Sequence, residues 1–181
     1  LDWSEWGGFD KAVEMCNNNG HCRKFDAGTM CPSYRVTREE QHLTRGRANT
    51  LRLALSGQLG PDALTSGAVR DALELCVSCK GCKRECPTGV DMAKMKIEFL
   101  HHWRRHHGLS LKERLVAYLP RYAPWAARLP AVMNLLQRLG KPVLGFARQR
   151  TLPAWRSDAF TAPAVQPAAG GREVVLFVDT F

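Results

Sequence analysis

Cys76-Val-Ser-Cys79-Lys-Gly-Cys82-Lys-Arg-Glu-Cys86-Pro87 places four cysteines within eleven residues. Gaps of two residues let a tight loop or single turn aim three thiols at one small volume. Gly81 permits close backbone approach, so that N–H groups can bond whatever the thiols hold. Pro87 turns the chain after the fourth cysteine. A zinc-stabilised interaction module is the simplest rival reading. Structural zinc, however, typically joins two Cys-x2-Cys knuckles that lie far apart in sequence. The chain carries seven cysteines in all. An odd number leaves one thiol over from any full disulfide framework. The short, regular spacings also suit metal binding in a reducing cytosol better than a secreted scaffold.

The spacing is that of the cysteine run in two-cluster bacterial ferredoxins, whose fourth cysteine ligates the other cluster. It therefore predicts a complementary motif elsewhere. Cys16-Asn-Asn-Asn19-Gly20-His21-Cys22, followed by Cys31-Pro32, supplies it with two changes. Asn19 stands where a second cysteine would be, and eight residues separate Cys22 from Cys31. Crossed ligation then assigns Cys31, Cys76, Cys79 and Cys82 to a complete 4Fe–4S site. Cys16, Cys22 and Cys86 form a three-cysteine site. That second site suits a 3Fe–4S cluster, or a 4Fe–4S cluster with Asn19, His21, Asp26 or water on its fourth iron, or it stays empty.

Outward from the cysteines the pattern is helical. Phe9–Met15 reads as a short helix leading into Cys16, and Cys16–Tyr34 as irregular loop. Thr37-Arg-Glu-Glu40 has capping-box spacing, which predicts a helix from near Arg38. Ala48–Ser56 reads as a helix closed by Gly57 and Gly60-Pro61. Ser66 is placed to cap a helix over 68–75, and Asp91 to cap a long one ending near His107, before Gly108. Three shorter helical pieces follow over 110–150, broken near Pro120, Pro124, Pro130 and Pro142. Residues 159–172 read as an Ala/Pro/Gly linker. Val174-Val-Leu-Phe-Val178 reads as the first strand of an α/β domain, because a lone strand is not stable. The expectation is an all-α body cut from a longer polypeptide. It comprises a helical ferredoxin domain over 1–108, a helical connector over 109–158, the linker, and the truncated start of an α/β domain over 173–181.

Net charge is +9, concentrated in one segment. Residues 91–150 carry 12 Lys/Arg against 3 Asp/Glu. The basic stretch 94–150 suits an acidic partner domain or a peripheral contact with an anionic membrane surface. Trp103, Trp125 and Leu135-Leu136 argue more for packing against further domains. His102 and His106 lie four apart on one basic helix face. A solvated face is the better reading than a metal pair. Arg45 and Arg47 are candidates to donate hydrogen bonds near a cluster, against a plain surface role. No nucleic-acid recognition motif is present. No run of eighteen apolar residues exists to span a bilayer, and Leu1–Asp10 lacks a signal peptide's pattern. A cytoplasmic location, peripheral to the inner membrane at most, is expected.

The carrying residues Cys16-Asn-Asn-Asn-Gly-His-Cys-Arg-Lys24, Gly28-Thr-Met-Cys-Pro-Ser-Tyr34, Thr44-Arg-Gly-Arg-Ala-Asn49 and Cys76–Asp91 resemble the iron–sulfur segment of bacterial FAD-linked oxidases. Those chains run from a flavin domain through a helical ferredoxin to cysteine-rich domains like those of heterodisulfide reductase. The nearest group resembles D-2-hydroxyglutarate dehydrogenases, with glycolate- and D-lactate-oxidising relatives. The resemblance implies that a 2-hydroxy acid reduces FAD in a missing parent domain, and that electrons leave singly through 4Fe–4S clusters to an acceptor the sequence does not name. It implies that 33–47 packs beside the clusters and that 174–180 opens the cysteine-rich domain. The fragment alone would not be catalytic. A separate iron–sulfur subunit, as in glycerol-3-phosphate dehydrogenase or fumarate reductase complexes, is the alternative.

Overall fold

The computed structural model of the chain describes residues 1–158. The expected linker and terminal strand lie outside the described residues. Among those described, every regular element is a helix. The chain divides into two compact units, Leu1–Gly108 and the residues from Leu109 onward.

The first unit is built as two similar halves. In the first, α1 (Phe9–Glu14) stops two residues before Cys16, and a 3-10 turn spans His21–Arg23. Cys31-Pro32 then opens α2 (Pro32–Thr37), and α3 (Thr44–Leu55) closes the half. In the second, α4 (Gly67–Glu74) stops two residues before Cys76. The short α5 (Gly81–Glu85) carries Cys82, and α6 (Met92–His107) follows Cys86-Pro87. The two halves share one core. Leu43, Leu51, Val69, Leu73, Met92, Met95 and Phe99 are at most 1% exposed. Burying each such side chain contributes about 1.5–3 kcal/mol, which offsets the ordering cost of the cysteine loops between the helices.

Local signals decide several boundaries. The Asp91 carboxylate accepts from the Lys94 amide at 3.0 Å and fixes the start of α6. Gly108, at φ +76°, ends it. The capping-box reading at Thr37 is corrected. Arg38, at φ +62°, ends α2 rather than opening a helix. The Thr37 hydroxyl instead donates back to the Ser33 carbonyl at 3.0 Å, and after a single 3-10 turn at Glu40–His42 the α-helix resumes at Thr44. Ser66 does sit at the start of α4, but its hydroxyl makes no capping bond and is buried without a partner among the described residues. Pro124 and Pro142 lie inside helices rather than between them.

The second unit contains α7 (Leu111–Ala117), α8 (Leu119–Ala126) and α9 (Pro130–Val143). None of its described residues is buried. In α9 the polar side is the one covered. Asn134 exchanges hydrogen bonds with the Trp155 backbone, and Gln137 donates to the Pro153 carbonyl. The opposite stripe of Val132, Leu135, Leu136, Leu139 and Val143 is 50–85% exposed.

Candidate iron–sulfur site

Cys31, Cys76, Cys79 and Cys82 line one small cavity, with Thr44, Arg47, Lys80 and Met92 among its other walls. Two elements of distant sequence make this meeting. The Glu85 carboxylate accepts from the Thr29 and Met30 amides at 2.8 and 3.0 Å, tying one Cys-Pro segment to the other. Gly81 then lets Thr29 and Met30 lie against the second loop. A Cβ at position 81 would stand 2.8 Å from the Thr29 hydroxyl and 3.4 Å from Met30 Cα.

Helix starts face the thiols. The Thr44 amide, first in α3, donates to Cys31 Sγ at 3.1 Å, and the Thr44 hydroxyl lies 3.0 Å from the same sulfur. The next amide, of Arg45, bonds Cys22. At the start of α6 the amides of Met92 and Ala93 bond Cys82. Free N–H groups and the helix dipole at these termini favour negative charge, so they suit thiolates and the anionic body thiolates hold. Burial works the other way. It pushes the Cys22 thiol up to about 11, opposed by the Arg45 amide and guanidinium. It raises Cys31 against the pull of Thr44 and Arg47, and Cys82 against the Met92 and Ala93 amides. At Cys86 burial also pushes up, but the Thr88 hydroxyl and the amides of Val90, Thr88 and Gly89 outweigh it, and the thiol is lowered.

Cations flank the cavity. Arg47 is 2% exposed. Its guanidinium donates to the Ala72 carbonyl and the Ser33 hydroxyl, both at 2.8 Å, and acts on Cys31. An arginine this buried is not a surface arginine. Lys96, a residue the sequence reading passed over, is lowered by burial and donates to the carbonyls of Glu74 and Cys76 at 3.2 and 2.5 Å. Thr44 and Glu85 were passed over too. Only the capping geometry of Thr44 and the long-range reach of Glu85 reveal them.

Cys16 and Cys22 are buried and within electrostatic reach of one another and of Cys31. No described hydrogen bond joins Cys86 to their loop. Among the named fourth-ligand candidates, Asn19 accepts from the His21 amide at 2.8 Å. Asp26 accepts from the Gly28 amide at 3.1 Å and faces Arg35 at 3.8 Å. His102 pairs with Glu98 at 3.1 Å. Among the described residues no three His, Cys, Asp or Glu side chains close to the span of a single bound ion.

The raised Cys22 thiol sets a pH dependence for the metal-free chain. The folded state favours its neutral form, so this contribution is complete below about pH 9 and is lost as pH rises towards about 11. Thermal melting of the metal-free chain should fall through that window. A flat profile would contradict the burial of this thiol.

Residues 12–90 match the 4Fe-4S dicluster domain family. Along its whole length the chain is 29% identical to a D-2-hydroxyglutarate dehydrogenase of Pseudomonas putida, of which it covers 23%. A D-2-hydroxyglutarate dehydrogenase of Escherichia coli is 30% identical over 72% of the chain and 16% of that protein. The "Probable glycolate oxidase iron-sulfur subunit" of Bacillus subtilis is 31% identical over 48% of the chain and 19% of that protein. The chain spans about a fifth of the length of these curated relatives. No solved structure matches it.

Proposed function

We propose that the chain, whose residues 12–90 match the 4Fe-4S dicluster domain family, is the electron relay of a flavin-linked 2-hydroxy-acid dehydrogenase. The observation that carries this reading is the cavity where Cys31, Cys76, Cys79 and Cys82 meet beneath helix amino termini. Four soft thiols with inward N–H donors fit a sulfide-bridged iron cluster. A 4Fe–4S cluster held there supplies one-electron chemistry.

The chain's own residues do the rest. Cys31, Cys76, Cys79 and Cys82 hold the cluster, and Cys16, Cys22 and Cys86 form a second, three-thiol set. Arg47 and Lys96 put positive charge beside the first set and favour its more negative, reduced state. Buried Met92 and Ala93 exclude water from one side, while exposed Cys79 leaves the other side near the surface for electron exchange. The names of the longer relatives support D-2-hydroxyglutarate or glycolate as the substrate. Flavin and substrate would then bind in a domain of the longer polypeptide.

Chain reconstituted with iron and sulfide should lose its visible cluster absorption when mixed with photoreduced flavin under nitrogen. Absorption that stays unchanged contradicts the relay role. The similarity to the Bacillus subtilis iron–sulfur subunit favours a second reading, in which the relay is a separate polypeptide. A flavin domain in the same reading frame would exclude it.

The exposed stripe of α9, with no Asp or Glu between Glu113 and Asp158, is assigned to an acid-rimmed apolar surface of the longer polypeptide. No described helix is long and apolar enough to cross a membrane. With the stripe covered by that surface in the longer polypeptide, its docking partner is protein, and the chain should not sediment with phosphatidylglycerol vesicles. Salt-sensitive sedimentation would instead make these helices a peripheral membrane contact.

A further inference from the structure

The loops Cys16–Cys22 and Cys76–Cys82 have the same length and the same backbone path. Each has two residues in the left-handed region, at its third and fifth positions. These are Asn18 at φ +62° and Gly20 at φ +75° in one, Ser78 at φ +55° and Lys80 at φ +58° in the other. Each passes into a helical turn at its sixth position, His21 or Gly81. Each offers its last thiol to the first amides of a long helix, Arg45 of α3 or Met92 and Ala93 of α6. The path is therefore a property of the cradle, not of one sequence.

The two loops hold that path by different means. Ser78 and Lys80 occupy left-handed positions that strain ordinary side chains, a strain that cluster bonds through Cys79 would offset. The first loop uses Asn and Gly there, which enter this region readily. At the fourth position, equivalent to Cys79, Asn19 locks the turn. Its Oδ1 accepts from the His21 amide at 2.8 Å, and its Nδ2 donates to Asn17 Oδ1 at 2.6 Å. Both polar ends of the Asn19 amide are thus committed to the loop itself. The Asp26 carboxylate is likewise engaged, by Gly28 and Arg35. Asn19 and Cys79 are both exposed.

We propose that Asn19 is a backbone staple rather than a ligand, so that the cluster cradled by the Cys16–Cys22 loop has an iron corner open to a small exogenous donor such as water, cyanide or a free thiol. This rests on the iron–sulfur reading above and deepens it. The second site would then bind small ligands, while the four-cysteine site, fully furnished by protein, would not.

The test uses the full chain reconstituted under nitrogen, with potassium cyanide as the probe and low-temperature EPR of the reduced protein as the readout. In the unaltered chain cyanide should change one of two cluster signals and leave the other intact. Asn19→Cys should abolish the response by supplying the missing thiolate. Asn19→Ala should keep both the second cluster and its response. Three results would overturn the proposal. One is two clusters indifferent to cyanide, with sensitivity appearing only in His21→Ala, because His21 would then be the fourth ligand. Another is loss of the second cluster in Asn19→Ala. The third is a single cluster, at the four-cysteine site alone. In all three the relay reading stands. Absence of acid-labile sulfide would defeat the relay reading itself.

Discussion

Replacing Cys31 with alanine should empty the cysteine site whose other thiols begin forty-five residues further along the chain, at Cys76. Cys31 shares its cavity with Cys76, Cys79 and Cys82, whereas its own loop partners are Cys16 and Cys22. The chain should lose about four iron, and the reduced-state cubane signal with them. The fold should survive, because the side chain is small and its neighbour Arg47 keeps its bonds to Ala72 and Ser33. The mirror variant, Cys86→Ala, should spare that signal and alter the second site. The reverse pattern, with the signal spared in Cys31→Ala and lost in Cys86→Ala, would show that each cysteine run serves its own cluster. Circular dichroism of each variant separates cluster loss from unfolding.

Gly46→Ala should damage both sites at once, although position 46 touches no cysteine. A Cβ there would stand 1.9 Å from the Glu40 carbonyl oxygen, 2.8 Å from its carbon and 3.0 Å from Gln41 Cα. All three are backbone atoms, so no rotamer change relieves the clash. Either the turn Glu40–His42 or the first turn of α3 must move. That first turn carries the Thr44 and Arg45 amides onto Cys31 and Cys22. Overpacking of this kind costs about 1–3 kcal/mol. We expect a lowered melting temperature and poor incorporation at both sites. Gly67→Ala is the control. Nothing lies within 4 Å of its added Cβ and its backbone is helical, so the helix should gain up to about 1 kcal/mol. If Gly46→Ala melts and incorporates iron like the parent, α3 does not position the thiols as described.

These two variants also mark what was legible in the sequence. Cysteine spacing is local, and crossed pairing follows from it, so the gathering of Cys31 with Cys76, Cys79 and Cys82 could be expected from the motif alone. Asp91 and Gly108 announced α6 because cap and stop lie within the element they bound. Gly46, Arg47 and Glu85 could not be read in this way. Their roles depend on backbone segments that meet only after folding: Glu40 against α3, Ala72 against Arg47, Thr29 against Glu85. Thr37 misled for a related reason. Its Thr-x-x-Glu spacing is genuine, but Arg38 turns left-handed and Thr37 bonds backward to Ser33. The self-bonding of Asn19 was likewise hidden, since the residue type alone fits a ligand as well as a turn.

The most direct test of the central claim is an iron, zinc and acid-labile sulfide analysis of chain purified without oxygen, paired with EPR before and after dithionite. Iron and sulfide in near-equal amounts, with a fast-relaxing signal on reduction that disappears in Cys31→Ala, is the predicted result. Zinc without sulfide, and no signal in either state, would contradict it.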